Sequence, residues 1–182
     1  MDKIRENIYD MLRYRNIKGL TDSGLDEFKL SKEERILINE DILVCFVDIL
    51  NKKVALKVEK DMEEYNVKHS IIVAEKITHS TKKYIINEIN TSDFIIEMFL
   101  YQELTINISK HVLVKRHKIV SDENKLEILK KYKIEPYMLP SILISDPMCR
   151  YICGKLGDII KITRIEETSG KSDYFRLVVR ET

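Results

Sequence analysis

The chain has 182 residues, 44% of them hydrophobic, with five glycines and three prolines, a composition that excludes a disordered tail or a low-complexity linker. The 31 Lys and Arg nearly cancel the 30 Asp and Glu, but unevenly: residues 1–109 carry 16 against 20 and residues 110–182 carry 15 against 10, so the net +1 divides into −4 and +5. A surplus of +5 does not by itself establish nucleic-acid binding, and no apolar run approaches the roughly 20 residues that a membrane span needs.

The first predicted element is a helix at "DKIRENIYDMLRYR", where Ile4, Ile8, Met11 and Leu12 share one face and Asp2 is its expected N-cap. Gly19 is expected to end it. "LTDSGLDEFKLSKEERI" reads as a turn and a short helix capped by Ser31, with Glu34 three residues on. "DILVCFVDIL" and "VALKV", separated by "NKK", have the apolar, β-branched pattern of two strands around a tight turn. "EKDMEEYNV" fits a helix and "KHSIIVAEK" a buried strand, with His69 at the strand edge and His79 in the loop beyond. "THSTKKYIINEIN" is a helix capped by Thr78 or Ser80, with Lys82 and Lys83 in a first turn that would favour acids. "SDFIIEMFLYQELTINIS" continues as extended, apolar sequence. Alternating strands and helices predict an α/β sandwich with a partly parallel sheet over residues 1–109.

Composition shifts near Ser109, where a second module, residues 110–182, is expected to begin. "VSDENKLEILKKY" is a helix with Ser121 as cap, acids in its first turn, lysines in its last, and Leu126 and Leu129 on one face. "KIEPYMLPSILISDP" places two prolines around a short helix, and Pro147 turns the chain after Asp146. "DIIKITRIEE" and "DYFRLVVRET" are strands joined by "ETSGKS", in which Gly170 can take a positive φ. The back module is therefore a small α+β unit, and the chain as a whole is α+β.

Candidate chemistry is sparse. Cys149 and Cys153 with His111 and His117 have a permissible zinc spacing, but a structural site requires four converging ligands, and the cysteines read more readily as small buried hydrophobes. With Cys45 they make an odd number, which together with the lack of a signal peptide points to a reducing, intracellular setting. There is no P-loop, no G-x-G-x-x-G and no G-x-S-x-G elbow. Asp48, Lys57 and Glu59 have the residue types of a metal-dependent nuclease, though surface charge beside a strand explains them more simply. Lys82 and Lys83 at a helix start are a phosphate clamp or two solvated lysines.

From "NISKHVLVKRHKIV" through "KKYKIEPYMLPSILISDPMCRY" to the final strands, the sequence resembles the family of the fifth subunit shared by the eukaryotic nuclear RNA polymerases and of its smaller counterpart, the assembly subunit of archaeal RNA polymerase. The residues that carry the resemblance are His111, Val114, His117, Tyr132, Leu139, Pro140, Asp146, Pro147, Arg150 and Tyr151, followed by Gly157, Asp158, Lys161, Arg164, Thr168, Gly170, Tyr174 and Arg176. The front module is similar, by order of elements, to the jaw domain of the eukaryotic members, which is restriction-endonuclease-like. "ITHSTKKYI" is similar to that family's Thr-Pro-Ser motif, with His79 in place of the proline. Lys115 stands for a second family proline, Cys149 for a small residue, Cys153-Gly154 for a Gly-Leu, and Leu156 for a basic residue.

The resemblance implies a non-catalytic subunit of a DNA-directed RNA polymerase, without cofactor or metal and not a homo-oligomer. Its back module would dock on the largest subunit and neighbouring small subunits. Thr78, Ser80, Lys82 and Lys83 would lie near downstream double-stranded DNA, contacting phosphates without reading sequence. Its departures from the family pattern fit a divergent member: nuclear if cellular, or in host cytoplasm and virion if encoded by a large DNA virus. A free-standing nuclease-like enzyme and a standalone transcription factor using the same module are the alternatives.

Overall fold

The computed structural model describes residues 2–31, 33–39, 41–90, 94–166 and 170–180. Contacts divide the chain into two compact units, one of residues 1–13 and 17–106, the other of residues 14–16 and 107–182. Each contains a four-stranded mixed sheet with helices, so the protein is α+β. Among the described residues no helix is long and apolar enough to cross a membrane.

In the first unit, α1 (Asp2–Tyr14) buries Ile8, Met11 and Leu12 completely. Asp2 is already helical, and the left-handed residue that ends the helix is Asn16 (φ 58°), past which Ile17 N–H reaches the Leu12 carbonyl at 3.2 Å. Asn tolerates that conformation, so Gly19 is not the terminator. Thr21 caps α2 (Asp22–Leu30) by accepting the Gly24 N–H, while Ser31, expected to begin a helix, is its C-cap. The reason is local: the chain must leave the helix at Ser31 to enter β1 (Arg35–Ile38), a short strand paired antiparallel with β2 (Ile42–Leu50).

β2 runs parallel to β3 (His69–Ile77), and β3 parallel to β4 (Ile95–Leu100), giving the order β1-β2-β3-β4. Residues Ile42–Phe46 and Ser70–Ala74 are buried without alternation, as strands covered on both faces must be. The expected hairpin at "NKK" is instead the start of α3 (Lys52–Glu64). Asn51 Oδ1 accepts the Val54 N–H at 3.1 Å, and Ala55, Val58 and Met62 recur on one buried face, so a capped helical period overrides the β-branched composition of "VALKV". That face packs with Leu43, Cys45, Ile72, Ala74 and Ile96 in one core. α4 (His79–Tyr84) continues as a π-helical turn, Ile85–Ile89. After β4 the chain does not stay extended, as expected, but folds into the 3₁₀ turns Tyr101–Leu104 and Ile108–Lys110.

Arg5, only 4% exposed, joins three elements on the other face of this sheet. Its guanidinium donates to the carbonyls of Phe28 (2.7 Å) and Glu33 (3.1 Å) and lies over the rings of Phe28 and Phe46, 5.6 and 4.8 Å from their centroids. It thus ties α1 to the end of α2, the approach to β1, and β2.

The second unit contains β5 (Arg116–Ile119), α5 (Asp122–Tyr132), β6 (Ser141–Leu143), α6 (Pro147–Tyr151), β7 (Ile159–Glu166) and β8 (Gly170–Val179). The sheet order is β5-β7-β8-β6; only the β6–β8 pair is parallel. β5 and β6 pass unseen in the sequence because four and three residues are too few to establish a period. The core is small, built on Ile142, Cys149, Tyr151, Ile159, Ile160 and Val178.

Replacing Arg5 with Lys should lower the unfolding free energy by about 2 kcal/mol, since an ammonium cannot serve both carbonyls and both rings. Urea denaturation followed by far-UV circular dichroism measures it; an unchanged midpoint would show that the guanidinium is dispensable.

Candidate assembly surface and basic face

About half of the family-motif residues sit at turns, caps and strand starts of the second unit. Asp146 is the N-cap of α6: its Oδ1 accepts the N–H groups of Met148 (2.8 Å) and Cys149 (3.1 Å), and Pro147 follows at the first helical position. A proline costs nothing there, because that N–H has no intrahelical partner. The helix ends in a Schellman motif, with Cys153 N–H on the Arg150 carbonyl (3.0 Å) and Gly154 N–H on the Cys149 carbonyl (2.9 Å). Cys153 occupies the left-handed position (φ 57°). A Cβ on Gly154 would lie 2.7 Å from Cys149 Sγ, so only glycine fits.

Arg15 closes the same helix end, donating from Nε to the Tyr151 carbonyl (2.8 Å) and from its terminal NH2 nitrogen to the Arg150 carbonyl (3.1 Å). Tyr14 Oη bridges β5, donating to the His117 carbonyl (3.0 Å) and accepting the His117 N–H (2.9 Å), and its ring meets Tyr151 edge-on. Tyr151 Oη in turn donates to Asn107 Oδ1 at 3.2 Å. Sequence reasoning misses Tyr14 and Arg15 because they continue a helix that belongs to the front module; the break in apolar period after Leu12 is the available signal.

Gly157 takes φ 83° at the third position of the turn Lys155–Asp158, which Asp158 closes by accepting the Lys155 N–H on Oδ2 at 2.7 Å. Pro140 opens the edge strand β6, where no ladder N–H is required, and Leu139 is half-buried before it. Lys161 pairs with Asp173 (2.6 Å), whose carboxyl is held below the usual range by Lys161 and Thr163. Arg164 covers the Tyr174 ring at 4.6 Å, and Arg176 donates to the Ser141 carbonyl. Gly170 has φ 70° at the start of β8. Thr168 lies outside the described residues.

Some of these positions shape surface instead of core. His111 caps a 3₁₀ turn, and its Nδ1 accepts the Leu113 N–H at 3.2 Å. Between His111 and half-buried Val114, Val112 and Leu113 stand 88% and 79% exposed. Tyr132 packs on Phe175 yet is half exposed, and α5 has no fully buried residue, with Ile128 and Leu129 half-buried. Leu126, expected on a packed face, is exposed.

The four candidate zinc ligands have separate settings. Cys149 is fully buried and its thiol is pushed up to about 11 by burial, then by the charges of Asp146 and Asp158. His111 is an exposed turn residue, and His117 Nδ1 lies 2.7 Å from the Lys115 carbonyl. Among the described residues these four form no ligand cluster. Lys57 and Glu59 lie on α3, not on a strand beside that of Asp48, so the nuclease-like arrangement is not assembled.

In the first unit, Thr78 does begin α4, but its hydroxyl is directed to the Leu50 carbonyl (3.3 Å) and Thr81 Oγ1 (2.6 Å), not to a helix N–H. Lys82 and Lys83 fall in the last turn of α4, not the first, and are exposed, as is Ser80. The Leu50 carbonyl also accepts the Thr78 N–H (3.2 Å), which sets the starts of α3 and α4 side by side where β2 and β3 end. Lys52 and Lys53 open α3 with no acid in its first turn, and Lys52 Nζ sits 4.5 Å from the Tyr84 ring centre. These two lysines escape a reading of the sequence because "NKK" has the composition of a turn; Asn51 as an N-cap is the signal that could find them.

Residues 106–178 match the family described as RNA polymerase Rpb5, C-terminal domain. The chain is 49% identical over 75 residues to DNA-directed RNA polymerase subunit Rpo5 of Pyrococcus horikoshii, a match that covers 41% of this chain and 92% of that relative. The chain belongs to the Rpb5 family. It is also 36% identical over 120 residues to DNA-directed RNA polymerases I, II, and III subunit RPABC1 of Caenorhabditis elegans, covering 66% of this chain and 56% of the relative. The corresponding Dictyostelium discoideum subunit is 36% identical over 109 residues, 60% of this chain and 55% of its own length. The chain thus spans about half the length of the eukaryotic relatives it matches.

Cys153→Gly should raise stability by about 1 kcal/mol, because glycine enters the left-handed region freely, and Asp146→Ala should lower it by about 1 kcal/mol through loss of the cap. Thermal melts of both variants test the opposite signs; a destabilised Cys153→Gly would mean that side-chain contacts outweigh the backbone term.

Proposed function

We propose that the protein is a non-catalytic subunit of a multisubunit DNA-directed RNA polymerase. The second unit forms the assembly surface, held against the largest subunit and neighbouring small subunits. The observation that carries this reading is the nearly full-length correspondence of that unit to an archaeal polymerase subunit, over residues whose caps and turns are intact. The exposure of Val112, Leu113, Tyr137 and Ile165, each more than 70%, supports it, since surface of this kind is ordinarily covered by a partner.

The first unit serves as part of the lower jaw, with its basic face towards downstream double-stranded DNA. Ser80, Lys82 and Lys83 supply that face, and Thr78 shapes the helix start from inside. Lys52 and Lys53 extend it. Contacts of this type address phosphates and are independent of sequence.

Affinity purification from the native source should recover the polymerase large subunits in stoichiometric amount; recovery of the chain alone would refute the assignment. Pro147 and Arg150 substitutions should reduce incorporation before any effect on nucleotide addition. The double variant Lys82→Glu, Lys83→Glu should assemble normally but bind downstream DNA more weakly, with the slope of log K against log salt reduced by about 2. Filter binding across a salt series measures this, and an unchanged slope would remove the lysines from the DNA face.

A further inference from the structure

The first unit presents an unpaired sheet edge beside a groove. β1 bonds to β2 through Glu34, whose carbonyl accepts the Phe46 N–H at 2.7 Å, and by the two-residue alternation through Ile36 and Ile38. The backbone N–H and C=O of Leu37 therefore point away from β2, and no described residue pairs with them. Outside this edge lies a groove of about 340 Å³, walled by Tyr9, Glu27, Phe28 and Ser31 on one side and by Ile36, Leu37 and Ile38 of the strand with Asn39 of the following turn on the other. Gly24 allows the wall to stand this close to α1, since a Cβ there would lie 2.9 Å from Tyr9 Oη.

Exposed edges are commonly guarded by lysine or proline. Here the strand reads Arg35-Ile36-Leu37-Ile38, and Arg35 is drawn away to Asp61 of α3, with Nε 2.9 Å from Oδ2. The surroundings are acidic: residues 22–41 contain seven Asp and Glu against three Lys and Arg. Of these acids Glu27 lines the groove and Glu33, Glu34 and Asp41 stand exposed at the two ends of the strand, while Asp22 is paired with Arg13.

We infer that β1 is a docking edge for an extended basic peptide, which adds as a fifth strand on Leu37 while its basic side chains meet Glu27 and the acids flanking the strand. Main-chain bonds to the edge supply affinity, and the acidic rim together with the Phe28 and Tyr9 wall supplies selectivity. The site is distinct from the second unit's apolar surface and from the lysines of α3 and α4, and it stands whether or not those have the roles proposed above.

The test uses the purified full chain and a fluorescein-labelled peptide of alternating Lys and Val, with alternating Glu and Val as control. Anisotropy titration should show binding of the basic peptide and not of the acidic one. At saturation, amide exchange at Leu37 should slow by about tenfold as its N–H gains a partner. Leu37→Pro removes the outward N–H and leaves the donors to β2 in place; relative to Leu37→Ala, which controls for the lost side chain in the groove wall, it should weaken binding by about threefold to tenfold. Glu27→Lys, on an exposed helix position, should weaken binding without touching the strand. Unchanged Leu37 exchange at saturation, or equal binding of the acidic peptide, overturns the proposal. Self-association of the chain with Leu37 protected in the absence of peptide overturns it too, and assigns the edge to a second copy.

Discussion

The first unit is organised around a buried cation. A guanidinium removed from water is unfavourable unless its donors find acceptors, and Arg5 places two of them on backbone carbonyls instead of on a carboxylate. Carbonyls cannot be protonated or exchanged, so the arrangement fixes the path of the chain at Phe28 and Glu33 over a wide range of pH. The adjacent rings of Phe28 and Phe46 offer their faces to the same charge. A single side chain of α1 thereby binds the chain both at the end of α2 and just before β1. The groove beside β1 follows from that geometry, because α2 is held near the strand edge without being joined to it.

The second unit is stabilised differently. Its helices are short and its core is small, so local backbone chemistry takes on much of the task of specifying the fold. Asp146 with Pro147 starts a helix, the Schellman pair at Cys153 and Gly154 stops it, and Gly157 with Asp158 turns the chain into β7. α5 ends the same way, with Lys133 left-handed (φ 54°) and Ile134 N–H on the Leu129 carbonyl. Such positions tolerate few residue types, for reasons of φ and hydrogen bonding that do not depend on distant contacts. That is why the family pattern in this part of the chain is legible letter by letter.

Legibility in the first unit is uneven for a related reason. β3 can be read because five successive buried residues leave no other interpretation, and α1 because its apolar spacing is strong. "VALKV" misleads because Val and Leu at this spacing serve a strand or a helix, and the decision belongs to Asn51 as cap and to burial against Leu43 and Ile72. β1 is hidden inside a stretch with the composition of a helix, and what identifies it is pairing with β2, a non-local fact. The basic face is half legible: Lys82 and Lys83 stand out as misplaced charges, whereas Lys52 and Lys53 become meaningful only once α3 begins beside α4.

A physical asymmetry between the units bears on what each is for. Among the described residues of the second unit, Val112, Leu113, Leu126, Tyr137, Met138 and Ile165 are more than half exposed, while α5 has no fully buried side chain and keeps Ile128 and Leu129 half-buried. Ile128 and Leu129 pack the helix against its own unit, whereas the exposure of Leu126 is not explained by that unit's core. Covering these residues would remove them from water at roughly 25 cal/mol per Å² of apolar surface. The sequence retains them beside caps and turns that hold the backbone in place beforehand. A partner that closes over such a surface would meet a pre-formed scaffold, and the entropy of ordering it would already have been met during folding.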